Sequence, residues 1–378
     1  MKKRLGDYIK EYSVRNKENQ DIPVYSVTNT EGFCQDYFGK EVASKDKSTY
    51  KIVPQGYFAY NPSRINVGSV DWQRTQERVI VSPLYNVFSV SDKLDQQYLY
   101  YYLKSDFALQ RIKAVATGSV RDNLKLKMLY EFPINIPELS SQKNIVELLD
   151  KIKKIEGLKK AELDYFDTLV KARFVEMFGN PNEINKIANA RIKDVASVKV
   201  GIVIKPTQFY SDDKTGKCAF RSLNIIPFGV KKNSEWVYFT DAAMSENKRT
   251  IVHEGDLLIV RSGNPGTCCV VPREYDGCNV IDLIIAHPDN SKILPEYLCA
   301  FTNMPHGMNQ INNQQHGVAQ RHFNVSMYEK MKLYVPKLSM QHQFVDFMIR
   351  ADKSKVAIQK SLDETQILFQ SLMQEYFG

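Results

Sequence analysis

The sequence predicts an α/β (α+β) protein made of two globular lobes, each followed by one long helix, and three observations support this prediction. An internal repeat aligns Pro137 with Pro336 at an offset of 199 residues, and 12 of the 48 positions from Phe132 to Gly179 are identical in both copies. Both copies carry apolar residues at spacings of three and four, which is typical of helices. The segments before them are rich in β-branched and aromatic residues interrupted by turn residues, which is typical of strands. The predicted domains are a first lobe at 1–139, a first connector helix at 140–179, a second lobe at 180–338 and a second connector helix at 339–378.

The two lobes show similar orders of predicted elements. In the first lobe, residues 51–70 and 78–90 predict strands, and residues 94–116 predict a helix. In the second lobe, residues 253–271 and 279–288 predict strands, and residues 293–313 predict the matching helix. Gly56 and Gly255 are also 199 positions apart, and each precedes a strand-like run, so they predict equivalent turns.

The connector helices have recognisable ends. Ser140 or Ser141 is predicted to cap the first connector just after Pro137, and Gly179 followed by Pro181 predicts its end. A helix over 141–178 is roughly 55 Å long, which is too long to bury its apolar stripe against one small lobe. We therefore favour an antiparallel coiled coil of the two connectors that acts as a spacer, with two separate core helices as the alternative. Glycine is unfavourable inside a helix, so a straight and a kinked first connector at Gly157 stay alternatives.

Length and composition exclude several classes of protein. The 378 residues are 43% hydrophobic and 25% charged, close to globular averages, which argues against wholesale disorder. The apolar runs are shorter than a membrane span needs, and polar residues interrupt the segment behind the basic start of the chain. The six cysteines form no CxxC pair, so we expect free thiols and no metal site. Together these features predict a cytoplasmic location.

The positive charge is concentrated in the lobes. The net charge of the chain is +8, of which each lobe carries +4, while the first connector carries +1 and the second carries −1. Two basic lobes joined by nearly neutral connectors favour two surfaces for one polyanion.

Common catalytic signatures are absent from the sequence. It has no G-x-x-x-x-G-K-[ST] phosphate-binding loop and no Asn/Asp-Pro-Pro-aromatic element of the kind that grips a flipped adenine. Its six histidines are scattered without a partnering pattern. We therefore predict no catalytic residues and no enzyme activity in this chain.

Residue types suited to nucleic-acid contacts occur in paired places. The loop at 59–74 and the loop at 260–267 hold arginine and asparagine, which read guanine and adenine, among glycine and proline. The segments 117–127 and 316–324, aligned through Gly118 and Gly317, add basic residues. The alternative is that these are ordinary turns whose polar side chains face solvent. The candidates are Lys51, Tyr60, Asn61, Arg64, Asn66, Arg74, Arg121 and Lys125 in the first lobe, and Lys205, Arg221, Asn224, Lys231, Arg261, Asn264, Arg321 and His322 in the second.

This arrangement resembles a known family. A variable block, then IPELSSQ to EMFGNP, then a second variable block and VPKLSMQ to QEYFG, is similar to the specificity subunit of type I restriction-modification systems over the whole chain. The opening LGDYIKEYSVRNK and the segment NPSRINVGS also look typical of first recognition domains in this family.

The resemblance implies two target-recognition domains that each read one half of a split sequence in double-stranded DNA, held apart by antiparallel helices. It also implies that two methylation subunits, which bring S-adenosylmethionine, and restriction subunits, which use ATP and Mg²⁺, are the partners. This chain would then bind no cofactor of its own. Two alternatives stay open: a DNA methyltransferase or nuclease with an unfamiliar active site, and a coiled-coil scaffold whose lobes bind proteins.

Overall fold

The chain divides into two units by its internal contacts. Unit 1 comprises residues up to Ala161 together with Ile358–Gly378, and unit 2 comprises Glu162–Ala357. The computed structural model describes residues 2–35, 46–115, 123–214, 216–315 and 323–378.

Unit 1 is a mixed unit of short strands and helices. Its described strands are β1 (Lys3–Arg4), β2 (Ile9–Glu11), β3 (Ser26–Thr28), β4 (Gly32–Cys34), β5 (Lys51–Pro54), β6 (Phe58–Tyr60), β7 (Val70–Trp72), β8 (Arg78–Val81), β9 (Asn86–Val90) and β10 (Pro133–Ile134). Its described helices are α1 (Gln96–Lys104), α2 (Asp106–Val115), α3 (Leu126–Leu129) and the first part of α4 (Leu139–Phe178). Four strands form an antiparallel sheet in the order β2-β9-β6-β7, and the pairs β1-β10, β3-β4 and β5-β8 are two-stranded.

Unit 2 repeats this plan with additions. Its described strands are β11 (Ala190–Arg191), β12 (Ala196–Val200), β13 (Tyr210–Ser211), β14 (Lys217–Phe220), β15 (Ile225–Ile226), β16 (Gly229–Val230), β17 (Val237–Phe239), β18 (Leu257–Val260), β19 (Cys268–Val270), β20 (Asn279–Val280), β21 (Leu283–Pro288) and β22 (Lys332–Leu333). Its described helices, besides the last part of α4, are α5 (Ile184–Ile187), α6 (Asp241–Glu246), α7 (Pro295–Asn303), α8 (Pro305–Gln315), α9 (Val325–Glu329) and the first part of α10 (Leu338–Phe377). The sheet β12-β21-β18-β19 corresponds to β2-β9-β6-β7, and a second sheet, β13-β17-β14-β20, has no four-stranded counterpart among the described strands of unit 1.

Strand β6 in the sheet of unit 1 and strand β18 in the corresponding sheet of unit 2 are each covered on two faces. Along β18, Leu257 and Ile259 belong to one apolar cluster, while Leu258 and Val260 belong to another. Successive side chains of a strand point to opposite faces, so this alternation places one cluster on each side of the sheet. A continuous apolar run in the sequence is the expected signature of such a strand.

The predicted turns before these strands are confirmed. Gly56 precedes β6 with φ of +82°, and Gly255 precedes β18 with φ of +89°. Both glycines therefore adopt the left-handed conformation that other residues rarely adopt, at positions 199 residues apart.

Each predicted helix after the sheet is in fact two helices, so the prediction of one continuous helix was wrong in both lobes. In unit 1, Ser105 is extended between α1 and α2, and its hydroxyl donates to Tyr102 O at 2.7 Å and accepts from Ala108 N at 3.3 Å. In unit 2, Met304 is extended before Pro305 because proline disfavours a helical conformation in the residue that precedes it.

The long helices begin slightly earlier than predicted. The helix α4 has 40 residues and begins at Leu139, which places Ser140 and Ser141 inside its first turn, so the prediction that one of them caps it was wrong. It runs without a break through Gly157. The helix α10 also has 40 residues and begins at Leu338, the position equivalent to Leu139.

Within unit 1, the first part of α4 pairs with the last part of α10. Lys153 Nζ lies 4.2 Å from the ring centre of Phe369, and Lys159 Nζ donates to Ser361 O at 2.9 Å. The α10 numbers fall as the α4 numbers rise, so the pairing is antiparallel.

Within unit 2, the last part of α4 pairs with the first part of α10 in the same sense. Lys355 Nζ donates to the Asp167 carboxylate at 2.6 Å, and the rings of Phe174 and Phe344 are 5.1 Å apart. The predicted α+β lobes and antiparallel helix pairing are therefore confirmed.

Candidate nucleic-acid interface

In unit 1, the loop between β6 and β7 lies against residues 123–127. These are the described part of the segment 117–127, which was predicted to add basic residues beside the loop. Tyr60 Oη donates to Leu124 O at 3.0 Å, and Leu124 N donates to Pro62 O at 3.1 Å. Ser63 Oγ donates to Asn123 Oδ1 at 2.7 Å. These bonds fix the loop against a segment that is distant in sequence and form one polar surface from two candidate stretches.

Four candidates lie at accessible places on this surface. Arg64 and Lys125 are exposed, whereas Asn61 and Asn66 are half-buried. Gly68, with φ of +90°, closes the turn that carries Arg64. The surface thus offers two cations and two side-chain amides beside backbone amides, which are groups that contact phosphates and base edges in protein–DNA interfaces.

Arg74 is held in place by its neighbours. Its guanidinium donates to the buried carboxylate of Asp71 at 2.7 Å and lies 4.5 Å from the ring centre of Trp72. The Arg74 side chain is 37% exposed, so it still presents a cation at the surface.

Two first-lobe candidates have structural contacts of their own. Tyr60 has no exposed surface, so it offers no group to DNA in this conformation, and we withdraw it from the candidates. Lys51 is half-buried on β5 and donates to Tyr85 O at 2.6 Å. Burial lowers the pKa of Lys51.

In unit 2, the loop between β18 and β19 occupies the equivalent place. Phe323 N donates to Arg261 O at 3.2 Å, which matches the bond between Leu124 and Pro62 at the offset of 199. The Arg261 side chain also donates to Phe323 O at 3.2 Å and to the Asp282 carboxylate at 2.5 Å. Only 14% of this side chain is exposed, whereas Asn264 is exposed. Arg261 therefore braces the loop, and Asn264 is its accessible candidate.

The remaining described candidates of unit 2 flank the β15–β16 hairpin or lie before it. Asn224 is fully buried: it accepts from Arg221 N at 2.7 Å and donates to Glu235 O at 3.0 Å, so we withdraw it as a direct contact. Arg221 is half-buried and donates to Glu235 O at 3.2 Å, while Lys231 and Lys205 are exposed. Arg121, Arg321 and His322 lie outside the described residues.

One identical pair in the sequence repeat, Gln142 and Gln341, has a structural role that the sequence pattern did not predict. Gln142 is fully buried; its Oε1 accepts from Asp95 N at 2.9 Å, and its Nε2 donates to Lys93 O at 3.0 Å and Pro137 O at 2.8 Å.

Gln341, at the equivalent position, is also fully buried and makes the same three bonds. Its Oε1 accepts from Leu294 N at 2.8 Å, and its Nε2 donates to Lys292 O at 3.0 Å and Pro336 O at 2.8 Å. All three partners are shifted by 199 positions. The identity of both glutamines in the repeat was the available signal.

Two further searches covered only the parts of the chain that the structure describes. Those residues form no group of three or more His, Cys, Asp or Glu side chains that could hold a metal ion. No described helix is both long enough and apolar enough to cross a membrane.

The two units have matching loops, and each unit contains the start of one long helix and the end of the other. This repeated plan defines a class of two-lobed proteins with paired long helices. Residues 3–165 and 186–366 match the family described as type I restriction modification DNA specificity domain. The chain therefore belongs to this family.

Individual relatives agree with this assignment. A putative type I restriction enzyme specificity subunit of Haemophilus influenzae is 25% identical over 280 residues, which cover 70% of this chain and 66% of that relative, slightly less than two thirds of its length.

Solved structures support the fold over the whole chain. A structure described as the basis of complex assembly and conformational transition of the type I R-M system has a TM-score of 0.67 at 15% identity, covering 100% of this chain and 97% of that one. The HsdS subunit from Thermoanaerobacter tengcongensis gives 0.51 at 14% identity, and the type I S subunit from M. genitalium gives 0.53 at 13% identity. Each covers 100% of this chain and 96% of its own.

Proposed function

We propose that this chain reads a two-part target in double-stranded DNA, with one lobe recognising each half. The observation that carries the proposal is the repeated contact between a turn-rich loop and a distant segment, made through equivalent backbone bonds but carrying different side chains. Equivalent frames with unlike exposed residues suit two different short sequences, because base edges are distinguished by the side chains that reach them.

The paired helices are proposed to fix the unread gap between the two halves and to receive two methylation subunits. Apolar side chains on these helices support a docking role, since Leu158, Val356 and Ile367 are 60%, 70% and 66% exposed. Restriction subunits complete the proposed assembly. In this proposal, S-adenosylmethionine, ATP and Mg²⁺ belong to the partners, and this chain contributes no catalytic group.

Methylome sequencing tests the proposal in a host that carries this chain with its methylation subunit. We expect one methylated motif made of two short parts with a fixed gap. A continuous motif, or no motif at all, contradicts it.

The alternative of an enzyme with an unfamiliar site is tested with the chain alone. Incubation with labelled S-adenosylmethionine and DNA, or with Mg²⁺ and DNA, should give neither methylation nor cleavage. Activity of the purified chain would favour the alternative.

A further inference from the structure

Each unit carries a β-hairpin beside its candidate loop. The hairpin β3–β4 packs on β7 and the hairpin β15–β16 packs on β19, and β7 and β19 are the strands that directly follow the loops. In unit 1, Lys104 Nζ donates both to Asn29 O in the hairpin turn and to Gly68 O in the loop. In unit 2, Phe228 N in the hairpin turn donates to Cys268 O at 2.9 Å, one residue after the loop. Each hairpin turn is therefore a neighbour of its candidate surface.

The two hairpin turns differ sharply in chemistry. In unit 1 the turn sequence from Thr28 is TNTEG, which is polar and contains an acidic residue. In unit 2 the turn from Ile226 is IPFG, and Leu223, Ile226 and Phe228 around it are 41%, 44% and 41% exposed. The same structural position thus presents polar groups in one unit and an apolar tip in the other.

Phe228 occupies a backbone conformation that does not suit it. Its φ is +65°, in the left-handed region, at the second position of a two-residue turn between paired Ile226 and Gly229. Turns of this kind favour glycine or asparagine there, and a bulky residue at positive φ is an outlier. The Phe228 side chain is 41% exposed, so burial accounts for the ring only in part. We take the exposed part, together with the unfavourable backbone angle, as the sign of a contact outside the chain.

The surroundings of the tip match duplex DNA. Lys231 and Lys232 follow the hairpin directly and are exposed; Lys232 Nζ lies 2.8 Å from the Glu274 carboxylate. Basic side chains beside an apolar tip suit a groove edged by phosphates. In the major groove the apolar group on a base edge is the methyl group of thymine.

We infer that Phe228 is a specificity residue that contacts a thymine methyl group in the half-site read by the second lobe. This inference rests on the proposed function and adds to it the base chemistry that one side chain selects. Because the equivalent turn of unit 1 is polar, the corresponding contact is absent from the first half-site.

The test uses the complex of this chain with its methylation subunit and the variant Phe228→Gly. Glycine removes the unfavourable left-handed conformation of Phe228 and thereby offsets the packing lost with the ring, so the midpoint of thermal unfolding should change little. We expect weaker binding to target duplex in fluorescence anisotropy. Leu84→Ala is the control: it removes an apolar side chain that is 80% exposed in unit 1, and binding should not change.

Duplexes with deoxyuridine in place of one thymine at a time identify the base. For the wild-type chain, one such duplex should bind about fourfold more weakly, the equivalent of about 0.8 kcal/mol for one methyl-sized apolar group. The Phe228→Gly chain should bind this duplex and the thymine duplex equally.

Three results contradict the inference in distinguishable ways. A wild-type methylome without a two-part motif refutes the proposed function and with it this contact. A two-part motif together with unchanged binding by Phe228→Gly refutes the contact alone. Loss of the methylation subunit from the Phe228→Gly complex on gel filtration shows that the tip binds protein instead of DNA.

Discussion

At the scale of single residues, Gln142 and Gln341 fasten the start of each long helix to the lobe before it. Replacing Gln142 by leucine leaves Asp95 N, Lys93 O and Pro137 O without their partner at a partly buried site. An unsatisfied buried group costs about 1–3 kcal/mol, and partial access to water reduces that cost for these three groups, so we expect Gln142→Leu to lower the free energy of unfolding by about 2–5 kcal/mol. Urea denaturation followed by circular dichroism measures this loss.

The control for this prediction is the adjacent exposed residue. Lys143→Leu should change the free energy of unfolding by less than about 0.5 kcal/mol. Gln341→Leu should reproduce the loss in unit 2. Equal effects of Gln142→Leu and Lys143→Leu would show that the buried bonds contribute nothing.

Arg64 and Arg261 should respond differently to truncation. Arg261→Ala removes bonds to Asp282 and Phe323 O from a mostly buried side chain, so we expect it to lower stability by about 1–3 kcal/mol and to weaken recognition. Arg64 is exposed, so Arg64→Ala should keep its melting temperature and weaken recognition of one half-site only. Differential scanning calorimetry combined with methylation of each half-site separates the two outcomes. Equal loss at both half-sites for Arg64→Ala would make it a general phosphate contact.

Residue type alone predicted which side chains suit DNA but not which of them reach the surface. Tyr60 and Asn224 have suitable chemistry and occur in suitable stretches, yet both are fully buried. The hairpin with Phe228 was missed because its signal is a backbone angle and an exposure. Neither quantity is visible in a sequence.

At the scale of elements, Gly157 weakens α4 without a packing reason. A Cβ atom added there meets nothing within 4 Å. We expect Gly157→Ala to raise the free energy of unfolding by about 0.5–1 kcal/mol, because alanine loses less backbone freedom in a helix. Thermal unfolding measures the gain. Gly6→Ala is the contrasting variant, since its Cβ would lie 2.7 Å from Tyr130 Cβ, and it should destabilise the chain. A loss of stability in Gly157→Ala would contradict this account.

Glu156 makes the helix pair of unit 1 sensitive to acid. Burial acts to raise its pKa, but hydrogen bonds from Lys160, Lys153 and Gln366 outweigh burial and lower the pKa from 4.5 to about 2. A lowered pKa stabilises the folded chain above pH 4.5, and this contribution is lost as the pH falls from 4.5 towards 2.

The variant Glu156→Gln isolates the contribution of the Glu156 charge to stability. The melting temperature of the wild type should exceed that of Glu156→Gln at pH 6, and the difference should shrink steadily as the pH is lowered towards 2. Thermal melts at half-unit steps of pH measure it. A difference that does not change with pH would show that the charge of Glu156 has no part in it.

Regular elements were predicted well where one period continued for many residues. The pattern of α4 and α10 extends over about ten turns each, and both helices were found within two residues of the predicted start. The break at Ser105 was missed because the apolar spacing continues across it, while the local capping bonds that create it have no periodic signal.

At the scale of the whole molecule, the internal repeat accounts for how one chain would carry the two recognition lobes that we propose. The two buried glutamines with their three bonds and the two glycine turns recur at one offset of 199 residues, and the strand order of one four-stranded sheet recurs as well. The exposed residues of the loops and hairpins differ. Elements that fold each unit are thus kept alike, and elements proposed to contact DNA vary. The boundaries of the recognition domains at 1–139 and 180–338 stay predictions.

The central claim is that the two lobes recognise DNA independently of each other. Its most direct test is to exchange residues 1–139 for the first lobe of another family member and to sequence the methylome in the presence of the methylation subunit of this system. We predict that one half of the methylated motif changes while the other half and the gap length stay the same. A motif that changes in both halves, or that does not change at all, would contradict the account.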